Sequence, residues 1–223
     1  IVFDDADLDK AVSGAMISKY RNAGQTCVCT NRILVQHEIY DDFLSKFKSA
    51  CEKLVIGDGQ KEATTIGPLI DSNAAEDVKN LIEDAKIKGA RIEFGGDTCD
   101  LGDNFINPTI LSNINTSMRV FNEEIFGPVA PIIKFETENE AIELANQTDF
   151  GLAAYFYSRD VGRVYRVSEK LEFGIIGVNE GIISNEMAPF GGIKESGNGR
   201  EGSKYGLDDY LEIKYVCVGG INE

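Results

Sequence analysis

The sequence is poor in histidine and in basic residues. It has one histidine, His37, and 22 lysines and arginines against 37 aspartates and glutamates, which gives a formal net charge of −15. A single histidine with no cysteine and histidine cluster gives little support to a zinc site or a cysteine–histidine hydrolase dyad. The negative charge repels phosphate backbones and anionic lipids, so nucleic-acid and membrane partners are disfavoured.

Long apolar runs and secretory features are also missing. No apolar stretch reaches the length of a membrane-spanning helix, and residues 1–5 have neither a basic region nor a signal-like core. The five cysteines are odd in number and spaced unlike a secreted framework, and Cys51 falls on the apolar stripe of a predicted helix. We therefore expect a cytoplasmic protein. Its apolar start at residues 1–3, without an initiator methionine, suggests part of a longer protein.

Periodic apolar residues predict alternating helices and strands. The predicted helices cover residues 7–20, 39–54, 71–88, 137–146 and 160–170. The predicted strands cover residues 32–36, 91–94, 107–111, 129–135, 153–157 and 175–178. This alternation predicts an α/β fold, a layered sheet with flanking helices, and 223 residues suffice for one large core.

The last part of the chain differs in composition. Glycines are frequent after Pro189, and Gly197-x-Gly199-x-x-Gly202 matches the spacing of a dinucleotide-binding fingerprint. No convincing strand precedes it and no apolar helix follows, so we interpret it as a loop. Residues 210–218 predict a terminal strand whose partner lies outside the compact body. The predicted division is a main domain at 1–204 and a tail at 205–223.

Cys27 is the strongest candidate for a reactive group. It lies in a polar, glycine-containing segment between a predicted helix and a predicted strand, where a thiol is accessible. Arg21 and backbone N–H groups nearby would stabilise a thiolate. From these residues alone, a small buried cysteine without reactivity is the favoured interpretation.

Four motifs resemble those of the aldehyde dehydrogenase family and span nearly the whole chain. They are Gly24-Gln25-Thr26-Cys27, Glu124-Ile125-Phe126-Gly127-Pro128, residues 146–152 (Asn-Gln-Thr-Asp-Phe-Gly-Leu) and residues 189–197 (Pro-Phe-Gly-Gly-Ile-Lys-Glu-Ser-Gly). The resemblance implies that Cys27 is the nucleophile, that Glu124 holds the ribose beside the nicotinamide of NAD or NADP, and that Phe126 packs near the ring. Without it, Glu124 is an ordinary solvated charge.

Within that family the chain resembles the succinate-semialdehyde dehydrogenases. The similarity lies in Arg21, Cys29, Ser184 and the tail sequence at 205–217. It implies that Arg21 and Ser184 hold the distal carboxylate of the substrate, and a guanidinium suits that role because it binds a carboxylate through two hydrogen bonds. It further implies that Cys29 is a redox partner of Cys27. Arg21 as a helix-end cation, Ser184 as a loop hydroxyl and Cys29 as a packing residue are the structural alternatives.

The resemblance implies oxidation of succinate semialdehyde to succinate through a thiohemiacetal and a thioester on Cys27, with hydride transfer to NAD(P)+. The glutamate that activates water, the asparagine of the oxyanion site and the main cofactor-binding domain would lie upstream of Ile1. The isolated chain is then expected to be inactive, and the complete enzyme to be a homo-oligomer, a dimer or a tetramer.

Three other functions remain open. A related enzyme would act on glutarate semialdehyde. A non-catalytic module would use its terminal strand to recruit another subunit. A redox-sensing thiol protein would rely on Cys27 and Cys29 without aldehyde turnover.

Overall fold

Helices and strands alternate along most of the chain. The computed structural model describes residues 1–97 and 99–220. Its α-helices are α1 (Leu8–Tyr20), α2 (Tyr40–Cys51), α3 (Ser72–Ile87), α4 (Arg119–Asn122), α5 (Glu138–Asn146) and α6 (Val161–Lys170). Its strands are β1 (Ile33–Gln36), β2 (Arg91–Phe94), β3 (Thr109–Ser112), β4 (Val129–Phe135), β5 (Phe150–Gly151), β6 (Ala153–Phe156), β7 (Ile175–Val178) and β8 (Ile193–Lys194). The expected α/β fold is confirmed.

Four of the helices have an aspartate or threonine side chain as their N-cap. Asp7, Asp71, Thr137 and Asp160 each accept a hydrogen bond from the backbone N–H three residues later, in front of α1, α3, α5 and α6 respectively. Such caps satisfy amides that would otherwise lack a partner in the first helical turn. The starts of these helices are therefore determined by short stretches of sequence.

Residues 1–3 connect two sets of strands. Strands β1, β4 and β3 run parallel in the order β1-β4-β3-β2, with β2 antiparallel at the edge, and β6 pairs with β7 in parallel. Val2 forms parallel bridges to both Val35 and Tyr157. The backbone of residues 1–3 thus lies between β1 and β6 and joins the two sets into one hydrogen-bonded layer.

Each face of this layer has its own apolar core. Val35 and Ile132 point to the face covered by α1, α2 and α3, whereas their neighbours Leu34 and Ile133 point to the face covered by α5 and α6. Successive strand residues face opposite sides of a sheet, so both cores require continuous apolar runs. The predicted sheet with flanking helices is the observed arrangement.

Several predicted boundaries shift in the structure. The strand expected at 107–111 begins only at Thr109, and the helix expected to reach residue 54 ends at Cys51. Short elements that the sequence did not predict include α4, β5 and β8. Among the described residues, no helix combines the length and apolar character that crossing a membrane requires.

The tail departs from the predicted strand. Tyr210 ends a 3-10 helix, Lys204–Tyr210, instead of beginning a strand, and residues 211–220 form no β-ladder with the rest of the described chain. The apolar side chains of this segment are exposed, and Ile213 is completely so. No strand edge in the described chain pairs with this segment, so the expected pairing with an outside partner stays a prediction.

Candidate active site around Cys27

A sharp reversal of the backbone presents Cys27. After α1 the chain passes through three residues with left-handed backbone angles, namely Asn22 (φ 52°), Ala23 (φ 55°) and Gly24 (φ 79°). Residues other than glycine rarely adopt this conformation, and a cluster of such residues is typical of functional sites. A turn follows, in which the N–H of Cys29 donates to the carbonyl of Thr26 at 2.9 Å. Cys27 is therefore on a constrained turn, within the segment between a helix and a strand where the sequence placed it.

Gln25 fastens this turn to a neighbouring loop. Its side-chain amide donates to the carbonyls of Asn22 at 3.2 Å and Pro68 at 3.3 Å, and its Oε1 accepts from the N–H of Ile70 at 2.9 Å. One side chain thus joins the reversal to a segment more than forty residues away. The glutamine of the cysteine motif has a structural role here.

Cys27, Cys29 and Glu124 line one cavity of about 370 Å³. Cys27 is exposed and both cysteines are free thiols. The backbone N–H of Cys27 donates to no acceptor in the described part of the chain. An accessible sulfur beside an unused N–H donor suits attack on a carbonyl, because the donor can bind the oxyanion that forms.

Tyr155 of β6 holds the residue between the two cysteines. Its hydroxyl donates to the carbonyl of Val28 at 2.8 Å, across 127 residues of sequence. Burial raises the pKa of Tyr155, and the neighbouring Cys29 thiol adds to this, so the hydroxyl stays protonated and able to donate. Sequence reasoning missed this residue, because a tyrosine in a half-buried strand has no distinguishing pattern.

Glu124 lines the same cavity as Cys27, whereas Phe126 is outside its lining. The carboxylate of Glu124 is exposed to the cavity and forms no ion pair with the described residues. Phe126 has a positive φ of 48° and a ring that is 44% exposed. An unpaired carboxylate accepts hydrogen bonds from hydroxyl donors and an exposed ring packs on flat apolar groups, so the roles expected of Glu124 and Phe126 stay predictions.

Arg21 and Ser184 are outside the lining of this cavity. Both are exposed, and neither side chain forms a hydrogen bond or ion pair with the described residues. The loop that carries Ser184 packs on α1 through backbone contact of Gly181 with Gly14. The positive charge of Arg21 opposes the rise in the pKa of Tyr155 that burial causes. No contact joins Arg21 to Ser184, so their shared role is a prediction.

Lys19 is the second residue that sequence reasoning missed. It is a cation in the last turn of α1, but its side chain is only 1% exposed. Burial lowers its pKa to about 8, and the negative forms of Cys29 and Glu124 oppose that shift. Its position four residues after the buried Ala15, on the same helix face, was the available signal.

The other candidates of the sequence lie elsewhere. His37 begins a 3-10 helix and lies 3.4 Å from the carboxylate of Glu136. The glycines at 197–202 follow only the two-residue strand β8 and lead into a 3-10 helix, so the fingerprint lacks its strand and helix. No group of three or more His, Cys, Asp or Glu within residues 1–97 and 99–220 is placed to hold a metal ion.

Comparison with known proteins gives relatives that act on acidic aldehydes. The 3-sulfolactaldehyde dehydrogenase of Pseudomonas putida is 59% identical over 222 residues, which are 100% of this chain and 46% of that protein. The NADP(+) succinate-semialdehyde dehydrogenase GabD of Escherichia coli K12 is 60% identical over 98% of this chain and 45% of its own length. The glutarate-semialdehyde dehydrogenase of Pseudomonas aeruginosa is 58% identical over 99% and 46%.

Solved structures show the same similarity. The crystal structure of an NADP-dependent enzyme of E. coli superposes with a TM-score of 0.96 at 60% identity and covers 98% of this chain and 45% of its own. The chain thus spans about half the length of the relatives it matches. A family model described as the aldehyde dehydrogenase family matches residues 1–216. The chain belongs to the aldehyde dehydrogenase family.

Proposed function

We propose that this chain carries the nucleophile of an NAD(P)-dependent aldehyde dehydrogenase that oxidises succinate semialdehyde to succinate. The observation that carries the proposal is the exposed Cys27 with its unused N–H, on a cavity shared with Glu124. Succinate semialdehyde is the substrate in the name of the E. coli relative, and glutarate semialdehyde is the alternative.

The residues of this chain account for the cysteine part of the reaction. The Cys27 thiolate adds to the aldehyde carbon, and its N–H stabilises the oxyanion of the thiohemiacetal. A nicotinamide cofactor, when bound, supplies the acceptor for the hydride that leaves this carbon. Cys27 then holds the acyl group as a thioester, and hydrolysis releases the acid and the thiol. Glu124 would accept hydrogen bonds from the ribose, and Phe126 would pack beside the ring.

Substrate choice is proposed to depend on Arg21 and Ser184. The guanidinium of Arg21 is exposed and unpaired among the described residues, so it is available to a carboxylate. The Ser184 hydroxyl would donate to the same group. The names of all three relatives describe aldehydes that carry one acidic group besides the aldehyde, which agrees with a cation at the distal end of the site.

We propose that activity also needs the half of the relatives' sequence that this chain does not match. A hybrid in which this chain replaces the matching region of the E. coli relative provides that half. We expect the hybrid to reduce NADP+ with succinate semialdehyde, Cys27→Ala to abolish turnover, and Cys99→Ala to retain it. A folded hybrid that is inactive, or equally active with Cys27→Ala, would contradict the proposed function.

Arg21 can be tested in the same hybrid. Arg21→Ala should lower kcat/KM for succinate semialdehyde about tenfold or more relative to an uncharged aldehyde of similar length, because a charge-assisted pair contributes roughly 1.5–3 kcal/mol. Arg21→Lys should recover only part of the loss, since an ammonium cannot form the bidentate hydrogen bonds that a guanidinium makes with a carboxylate. An equal decrease in kcat/KM for both aldehydes would show that Arg21 has only a structural role.

Assembly and location complete the proposal. The exposed apolar tail at 211–218 supports a homo-oligomer, a dimer or a tetramer, in which the tail pairs with another copy. If light scattering gives the mass of a single chain for the hybrid, the proposed homo-oligomer is wrong. Free cysteines, odd in number and spaced unlike a secreted framework, support a reducing location such as the cytoplasm. Fractionation of cells tests that assignment.

A further inference from the structure

Asn31 connects the two sides of the site through its side-chain amide. Its Nδ2 donates to the carbonyl of Glu123 at 2.8 Å, and its Oδ1 accepts from the N–H of Ile125 at 2.9 Å. These are the backbone groups immediately before and after Glu124. One amide thus holds the peptide segment on both sides of the proposed ribose-binding carboxylate.

Asn31 also belongs to the cysteine side of the site. It follows Cys27 by four residues and lines the same cavity as Cys27 and Glu124. On the other side of Cys27, Gly24 packs directly against the carbonyl of Gly127, where a Cβ atom would collide. The cysteine segment therefore contacts the Glu124 segment both before and after the nucleophile.

The remaining groups near Glu124 are already engaged elsewhere. Arg119 forms a double hydrogen bond with the carboxylate of Glu123, at 2.7 and 2.8 Å, and so occupies that side chain. Ile125 is buried, which fixes its backbone in the core. Between them Glu124 lines the cavity, and the two hydrogen bonds of Asn31 join its backbone to the segment that carries Cys27.

We propose that Asn31 is a positioning residue that sets the Glu124 carboxylate relative to the Cys27 sulfur. It touches neither reacting atoms nor cofactor in this role, because both hydrogen bonds go to backbone groups. The inference rests on the proposed function, in which Glu124 holds the ribose. We call the two hydrogen bonds of Asn31 to the Glu123 carbonyl and the Ile125 N–H the Asn31 clamp. Loss of this clamp should therefore affect cofactor binding more than aldehyde binding.

Asn31→Ala in the hybrid enzyme tests the role. We expect KM for the nicotinamide cofactor to rise about tenfold, with KM for the aldehyde nearly unchanged. Amide hydrogen exchange at Ile125 should become faster, because its N–H loses its acceptor. Asn31→Gln keeps both polar groups on a longer stem, so it should recover part of the cofactor affinity.

Asn146→Ala is the matched control. Asn146 makes the same kind of clamp outside the cavity, donating to the carbonyl of Lys170 at 2.8 Å and accepting from Glu172 N–H at 2.9 Å. It should lower stability by a similar amount while the cofactor KM and the Ile125 exchange rate stay as in the parent. If Asn31→Ala behaves like Asn146→Ala, the positioning role is wrong. Faster exchange at Ile125 with an unchanged cofactor KM overturns it as well.

Failure of the proposed function gives a different result. An unsubstituted hybrid that is folded but oxidises no aldehyde would reject that function. Equilibrium binding of NADP+ to the hybrid and its Asn31→Ala variant would still measure the clamp. A weakened binding in the variant would then support the positioning of Glu124, and equal binding would contradict it.

Discussion

At the scale of single residues, the most unusual group is the buried ammonium of Lys19. Its side chain is 1% exposed and forms no ion pair or hydrogen bond with the described residues. Burial of an unpaired cation is unfavourable, and the lowering of its pKa to about 8 reflects that cost. The residue lies beside Cys29 and Glu124, so the penalty occurs at the proposed site.

Lys19→Met should stabilise the protein at neutral pH. The folded-state pKa is about 8 and the ordinary value is 10.5, so the unfolded chain binds more protons between those values. The loss of folding stability caused by burying the ammonium is therefore at its full value below pH 8, and it disappears as the pH rises through the ordinary pKa of lysine. It amounts to about 3 kcal/mol at pH 7.

Urea unfolding of both proteins at pH 7 and pH 10 checks this prediction. The difference in the free energy of unfolding between variant and parent should shrink markedly at the higher pH. A difference that does not depend on pH would show that Lys19 is not a strained buried cation. Comparing the two proteins at each pH cancels the titration of all other groups.

Cys27 and Cys29 are proposed to form a reversible disulfide that switches the enzyme off. Both thiols are free and line one cavity, and the Thr26–Cys29 turn supplies the bend that a link between them requires. So small a ring should be strained and easily reduced. Oxidation would consume the nucleophile.

Cys29→Ala separates the switch from simple damage. The parent hybrid should lose activity with peroxide and regain it with dithiothreitol. The variant should keep its turnover, but peroxide should convert Cys27 to irreversibly oxidised acids. If dithiothreitol restores the variant as fully as the parent, and peptide mapping finds no Cys27–Cys29 link, the switch does not exist.

At the scale of elements, the connection between α1 and β1 decides the geometry of the site. Its left-handed residues reverse the chain, and Gly24 occupies a place where no side chain fits, since a Cβ atom would meet Gly127. A glycine is required there for two separate reasons, its positive φ and the close approach of a second backbone. Changing it should disturb the fold and the site together.

Gly24→Ala should destabilise the chain by about 2–4 kcal/mol, as the sum of a left-handed alanine and local overpacking. Gly59→Ala is the control, because Gly59 has open space around its Cα and no positive φ. It should change stability by no more than about 0.5 kcal/mol. Chemical denaturation of both variants measures the effect, and equal stabilities would contradict the steric argument.

At the scale of the whole molecule, the described chain has two apolar cores and one hydrogen-bonded layer of strands. We expect these features to be sufficient for an independent fold. The cavity beside Cys27, however, contains only part of the groups that the proposed reaction needs. The relatives contain about as much sequence again outside the matched region.

The pure 223-residue chain should therefore fold but should not turn over aldehyde. We expect a cooperative thermal transition by circular dichroism, weak cofactor binding and no steady formation of reduced nicotinamide. The hybrid described above provides the positive control. Sustained turnover by the chain alone would show that the site is complete without the rest of the relatives' length.

The predictions from sequence were most accurate where the signal is local. Five helices and six strands were anticipated within a few residues, because helical and strand periodicities are visible in short segments and Asp7 or Thr137 caps are adjacent to the elements they begin. The two-residue strands β5 and β8 were missed, since they are too short to show a period. The tail differs from the predicted strand, because Tyr210 ends a 3-10 helix and residues 211–218 form no ladder with the described chain.

The sequence by itself determined the α/β architecture and the identity of Cys27, Glu124 and Arg21 as candidates, because motif and periodicity are properties of neighbouring residues. Only the tertiary structure decided which of them meet. It brought Glu124 to the cavity of Cys27, placed Tyr155 on Val28, joined Asn31 to the Glu124 segment and buried Lys19. Those contacts join residues up to 127 positions apart or depend on how helices pack on the sheet, and no local pattern specifies either.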